Sequence, residues 1–390
     1  MAKSGLAARL LLSGFSLAYL AAAWGSGFDR LSAESPTLER LVPGVFRAQA
    51  DLSAGAVALA RGDKQQALAS GERAVRNDPL GPQATALLGI ARSFADDPED
   101  AEDAFRVSAQ RGWRDRLTQI YWYDAAMQAN DIERAALRAD ALLRANPNLE
   151  GAAKLLAPLE ATPEGRLALA RRLAEAPAWS QVYFHAGQAP DATRLENRAQ
   201  VALAAVKQDN VLKCDRMGRF ARELLLNGMR RDAENLWRAS CGTTGAAPAR
   251  GMLADGNFEL LAKSTEQAPF GWRKFASGDL AVDLVEIAPN AHAVRARSTA
   301  SVTRLILSQA VDVPPGHWRV RARGSVPAGR LVISLDCDGR ARRPSRINGD
   351  AAAAGQVLEA EACERAVLGV WLRPGRDEVT LDEMTIEPAE

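Results

Sequence analysis

Between residues 48 and 149 the chain repeats itself every 34 residues, and this spacing restricts the fold more than any other feature. Gly55, Gly89 and Tyr123 stand one period apart, as do Ala67, Ala101 and Ala135. Pro79 and Pro147 are two periods apart, with Trp113 midway. The pairs Gly62-Asp63, Asp96-Asp97 and Asn130-Asp131 occupy one register between these marks. Small side chains let two helices approach closely, Gly, Asn and Asp punctuate a tight turn, and Pro cannot continue a helix. Between the marks apolar residues keep helical spacing, as in Leu87, Leu88 and Ala91, then Ala101, Ala104 and Phe105. Paired antiparallel helices, stacked in series, are the expected result.

This pattern resembles the tetratricopeptide repeat. The resemblance implies an α-solenoid with repeats at 48–81, 82–115 and 116–149, offering a groove to a protein partner. Tyr123 departs from the pattern, since a Gly is expected there, and the third hairpin should splay unless Ala135 makes room. By register Trp122 and Tyr123 face the core between helices, and Tyr121 lines the groove. Residues 150–241 continue as further helices of the same kind. Thr162-Pro163-Glu164 reads as an N-cap followed by Pro at the first helical position. A hairpin over 214–241, with Gly228 in its turn and Ala233 and Trp237 at repeat offsets, brings Cys214 beside Cys241.

Residues 10–28 carry no charge and follow Lys3 and Arg9. A helix of that length spans about 28 Å, roughly the hydrocarbon thickness of a bilayer. Residues 1–30 therefore read as a signal anchor, or as a signal peptide cleaved near Ala21-Ala22-Ala23, with 31–47 as a linker. Either way the rest of the chain is exported. Four cysteines fit an oxidising compartment, two in the helical part and two, Cys337 and Cys363, beyond it, so each part can close one bridge.

Residues 242–256 are rich in Gly, Ala and Thr and read as a linker, after which the period drops to two. Ile333, Leu335 and Cys337 alternate with Ser334, Asp336 and Asp338, and Trp318, Val320 and Ala322 with Arg319, Arg321 and Arg323. Such strands, punctuated by turns such as Pro314-Pro315-Gly316, predict an antiparallel β-sandwich over 257–388. The fold class is thus multidomain, α then β. Asn257-Phe258-Glu259, Pro269-Phe270-Gly271-Trp272 and Val379-Thr380-Leu381-Asp382 resemble marks of the carbohydrate-binding-module jelly roll. That resemblance implies a structural calcium between Glu259 and Asp382, with no other cofactor. Arg319, Arg321 and Arg323 are candidates for an acidic polysaccharide, since Arg matches carboxylate geometry at two points, and Trp272 could stack on a sugar. Taken whole, the chain resembles bacterial membrane-anchored repeat proteins of surface-polysaccharide production. This implies a single pass through the inner membrane with a periplasmic bulk, or release to the periplasm after signal cleavage.

Charge and motifs exclude other classes. Lys and Arg number 49 against 48 Asp and Glu, which removes any global electrostatic case for nucleic acid. His185, His292 and His317 have no metal-ligand spacing, and no phosphate loop or nucleophile elbow is present. A non-enzymatic adaptor is the expectation. The alternative is a polysaccharide hydrolase or lyase with the sandwich as its catalytic domain.

Overall fold

A computed structural model describes residues 3–185, 191–208, 214–241, 250–263, 268–343, 355–362 and 365–389. The chain forms two compact units, Met1–Asn146 and Pro147–Glu390.

The first unit opens with α1 (Lys3–Ser32) and continues as three hairpins. These are α2 (Ala48–Arg61) with α3 (Lys64–Asn77), α4 (Pro82–Phe94) with α5 (Pro98–Arg111), and α6 (Arg116–Gln128) with α7 (Ile132–Ala145). Each hairpin turns in the same way. One residue adopts left-handed backbone, Gly62 at φ 77°, Asp96 at 66° and Asn130 at 56°, the conformation that Gly, Asn and Asp tolerate best. The next residue, Asp63, Asp97 or Asp131, caps the second helix by accepting from Gln66 N, Asp100 N or Arg134 N. Each cap contributes about 1 kcal/mol.

Small residues then let the helices close. Ala67, Ala101 and Ala135 are at most 1% exposed. A Cβ on Gly89 would lie 2.9 Å from the Phe105 ring, and one on Gly55 would lie 2.6 Å from Leu87. The third hairpin closes as well: Tyr123 is buried, Ala135 is fully buried, and α6 packs along α7. Buried Asp51 accepts from Arg73 Nε at 3.0 Å and Asn77 Nδ2 at 3.2 Å, tying α2 to α3. Asp29, near the end of α1, caps α2 through Gln49 N and Ala50 N, both at 2.9 Å. Among the described residues no helix is long and apolar enough to cross a membrane. The membrane span expected of residues 10–28 is thus not found among the described residues.

The second unit starts with α8 (Ala152–Ala161), α9 (Pro163–Ala174), α10 (Ser180–Tyr183) and α11 (Ala192–Gln208). Thr162 caps α9 through Gly165 N at 3.1 Å, with Pro163 at the first helical position as expected. Glu160 is the polar centre of this group. It accepts from Arg194 Nη2 at 2.8 Å and Arg198 Nε at 2.9 Å, and both Glu160 and Arg198 are at most 2% exposed. Arg198 also donates to Tyr183 O at 3.1 Å, and its guanidinium lies 4.8 Å from that ring's centroid. Burial, then Glu160, pushes the Tyr183 phenol well above its ordinary pKa. The hairpin of α12 (Cys214–Leu226) and α13 (Arg230–Cys241) is closed by a Cys214–Cys241 disulfide with Cα atoms 5.2 Å apart. Cys337 is disulfide-bonded as well, and its expected partner Cys363 lies outside the described residues.

After α14 (Glu259–Lys263) the described residues form nine strands: β1 (Arg273–Lys274), β2 (Leu280–Ala288), β3 (Ala291–Ser298), β4 (Arg304–Ala310), β5 (Gly316–Ser325), β6 (Leu331–Asp336), β7 (Gln356–Ala360), β8 (Val367–Leu372) and β9 (Val379–Pro388). They form two antiparallel sheets, β1-β4-β8-β6 and β2-β3-β9-β5-β7. Between the sheets pack Val282, Val294, Ile306, Val320, Leu368 and Leu381 with their neighbours. Every residue of β8 is buried, because the sheet's outer face is covered there too: Trp371 Nε1 donates to Ser334 Oγ at 2.9 Å, and a Cβ on Gly369 would touch Ala341. Ser334, on that outer face, is accordingly buried.

Where a linker was expected, residues 250–256 are fastened to the sandwich. Gly251 N donates to Asp312 O, Gln309 bonds both backbone groups of Ala254, and Met384 N donates to Gly256 O. The α12–α13 hairpin is fastened too. Arg222 Nη2 donates to Ala268 O at 2.5 Å, and the Arg230 guanidinium lies 5.4 Å from the Phe270 centroid. Burial, then Arg273, lowers the Arg222 pKa to about 10.

Two stability predictions follow from the second unit. Removing the Cys214–Cys241 bridge by paired Ser substitution should lower its unfolding free energy by about 3–4 kcal/mol, the chain-entropy value for so long a loop. Glu160→Ala, which removes the carboxylate from buried Arg198 and part-buried Arg194, should cost about 3–5 kcal/mol. Urea unfolding followed by circular dichroism reads both.

Candidate functional site

The residues singled out from sequence occupy very different surroundings. The Tyr121 ring stacks on Phe105 of the preceding hairpin, with centroids 4.0 Å apart and planes 14° apart, and meets Trp122 edge-on. It thus cements two repeats while remaining partly exposed. Burial, then the Glu102 carboxylate, raises its phenol pKa. Large apolar side chains also stand exposed on this unit at the loops joining successive hairpins: Leu80 at 80% and Trp113 at 49%, followed by Leu117 on α6. Trp113 is covered on one face by the Arg138 guanidinium, 4.3 Å from its centroid.

In the sandwich Trp272 is 2% exposed, donates from Nε1 to Asp255 O at 2.9 Å and packs against Phe258. The sugar-stacking role expected of it is corrected here, because its ring lies in the core and has no free face. Glu259 accepts from His292 N at 2.9 Å, with His292 Nδ1 3.1 Å from its other oxygen. Asp382 sits in β9 beside the bulge opposite Arg323 and Gly324. Among the described residues no group of three acidic, His or Cys side chains could hold a metal ion.

Arg319, Arg321 and Arg323 do share the outer face of β5, as alternation requires. Strand β9 lies beside them and supplies carboxylates: Arg321 Nη1 is 2.8 Å from Glu387, and Arg323 Nη1 is 2.9 Å from Glu383. Gly355 lies over the stems of Arg319 and Arg321, where its Cβ would come within 2.8 Å. The face is therefore one of alternating charge, with two of its three arginines already paired.

A cavity of about 650 Å³ opens at the other end of β9, where the turn before β2, the end of β3 and the loop before β9 converge. Its first wall is the turn Ser277-Gly278-Asp279, closed by reciprocal backbone bonds between Ser277 and Leu280 at 3.0 Å. Asp279 is held from below by Arg304 of β4 and from the side by Ser277 Oγ at 2.7 Å. Those two donors, Arg304 first, hold its carboxyl below the usual range. The second wall is Arg297-Ser298-Thr299-Ala300, stitched to the turn by Thr299 N and Ser298 Oγ donating to Asp279 O. The third is the loop carrying Gly375 and Arg376. Buried Arg330 shapes that loop, donating to the carbonyls of Arg373, Gly375 and Asp377. A Cβ on Gly375 would collide with the Arg330 guanidinium at 2.4 Å, so only glycine fits there.

The cavity's charge is uneven. Asp279 is neutralised by Arg304, and Arg295, two residues before Arg297 on the same face, pairs with Glu378 at 3.3 Å. Exposed Arg297 and Arg376 have no acidic partner among the described residues. Reading the sequence alone passed over this site, although Arg295-Ala296-Arg297 has the same alternation as the arginines of β5.

No family model matches the chain, and no curated protein matches it. Among solved structures, one reported as "Functional Characterization of Pseudomonas Aeruginosa pilF" aligns at 16% identity and TM-score 0.26, over 49% of this chain and 89% of that one. A superposition that loose leaves the site to be read from the residues themselves.

The paired and buried groups separate cleanly in stability. Converting Arg321 and Arg323 to Ser should change unfolding free energy by less than about 1 kcal/mol for each exposed pair. Trp318→Ala should cost about 3–5 kcal/mol, because the ring is buried and its Nε1 donates to Pro314 O at 2.8 Å. Thermal unfolding of the variants side by side measures the contrast.

Proposed function

We propose that this chain is a non-enzymatic adaptor exposed outside the cytoplasm, whose repeats hold a protein partner and whose sandwich recognises a ligand of its own. The observation that carries this reading is the set of three hairpins in one register, with exposed apolar side chains at the joints between them. Stacked hairpins of this kind present a continuous surface, and large exposed apolar groups on a soluble unit mark places that a partner covers. Leu80 and Trp113 lie at corresponding joints, with Tyr121 alongside on α6 of the third hairpin. The Cys214–Cys241 bridge suits an oxidising compartment such as the periplasm. The reading includes attachment to a membrane through α1, whose Leu12, Phe15, Leu17 and Leu20 all stand exposed. Surface-polysaccharide assembly is the setting that joins these elements, with an acidic glycan as the sandwich's ligand.

A photoreactive amino acid at Leu80, Trp113 or Tyr121, installed in cells, should yield one discrete adduct common to the three positions. The same probe at Asp103, which pairs with Arg106 on α5, should yield none. Adducts from Asp103 alone, or equal silence at all four positions, would contradict partner binding at the joints. For the membrane, the full chain should sediment with membranes and be released when Phe15 and Leu20 become Lys. A soluble full-length protein would remove the attachment.

A further inference from the structure

We infer that the cavity between Ser277, Arg297 and Arg376 is a binding site for a carboxylate-bearing saccharide. The proposal rests on the reading of the sandwich as ligand-binding, and it moves the site away from the arginines of β5. Three observations carry it.

The first is charge left unmatched. Around this end of the sandwich Arg304 has Asp279, Arg295 has Glu378, and Arg330 has three carbonyls. Arg297 and Arg376 line the cavity and have no partner among the described acidic groups. Two guanidinium groups beside a concave surface favour an anion, and a planar fork suits a carboxylate in particular.

The second is the wall chemistry. Ser277, Ser298, Thr299 and the residues of the 277–280 turn line a space of about 650 Å³, within the range of small-ligand sites. No aromatic ring lines it, so a nucleobase would find nothing to stack on, whereas a polyhydroxylated body would find partners.

The third is preorganisation. Arg330 fixes the 373–377 loop through three hydrogen bonds, and Asp279 is clamped by Arg304 and Ser277. Both walls are thereby set before any ligand arrives, which reduces the ordering cost of binding.

The test is calorimetric titration of the full chain with trigalacturonate, its carboxyl-reduced neutral counterpart, galacturonate monomer and sodium sulfate. Trigalacturonate should bind, and binding should weaken as salt rises. The neutral trisaccharide should bind at least about tenfold more weakly, as expected for losing a charge-assisted hydrogen bond. Arg297→Gln and Arg376→Gln should each weaken trigalacturonate by about tenfold or more on the same basis, with the thermal transition unchanged. Arg323→Gln, on the paired face, should have no effect. Binding of the monomer as tight as that of the trimer would support the site and assign it a free sugar acid instead of a polymer. Equal affinity for the neutral trisaccharide would overturn the proposal, as would sulfate binding as well as trigalacturonate. Full affinity in the Arg297→Gln, Arg376→Gln double variant would overturn this site and leave the sandwich's glycan reading standing. No saccharide binding of any kind would sink both.

Discussion

Everything in the first unit depends on one device: a left-handed residue followed at once by an aspartate cap. Gly62, Asp96 and Asn130 reverse the chain, and Asp63, Asp97 and Asp131 satisfy the amides that the reversal exposes. Without the reversal two helices of fourteen residues or fewer would run on as one long helix with a solvated apolar stripe. With it, each hairpin brings Ala67, Ala101 or Ala135 to a contact too tight for a larger side chain. A solenoid results because the same local decision is taken three times at a fixed spacing, and the surface it presents inherits that spacing.

The second unit is organised by buried cations instead. Arg198 and Arg194 close on Glu160 among the helices, Arg222 reaches Ala268, and Arg330 gathers three carbonyls. A guanidinium that bonds through two of its nitrogens fixes geometry at several points at once, since its fork is planar and rigid. The contrast with Arg297 and Arg376 is what makes the cavity informative. These two stand beside a hollow with no acidic partner among the described residues, as the proposed anion site requires.

Much of the helical part could be read from the sequence because its signals are local. Cap, turn and small-residue contact all lie within one period, and Cys214 with Cys241 follows from an antiparallel hairpin of known length. Tyr123 shows the limit: its ring splays the hairpin unless Ala135 makes room, and the pair closes, since room is decided by both helices together. In the sandwich the alternation revealed which residues share a face but not which strand lies beside them. Arg321 and Arg323 looked free until β9, some 60 residues on in sequence, brought Glu387 and Glu383 alongside. Trp272 failed as a sugar platform for the same reason, because its Asp255 and Phe258 partners come from an apparent linker and strand start. The cavity was illegible because its walls come from three separated segments and its shape from Arg330, which is not among the residues that line it.

Residue-resolved hydrogen exchange over residues 48–149 tests the repeating hairpin most directly. Three capped hairpins predict slow exchange around Ala67, Ala101 and Ala135, in step with the 34-residue period, separated by fast exchange just after each turn, at the first helical amides of Lys64, Glu99 and Ile132. Protection running unbroken through those turns, or protected stretches out of step with the period, would contradict it.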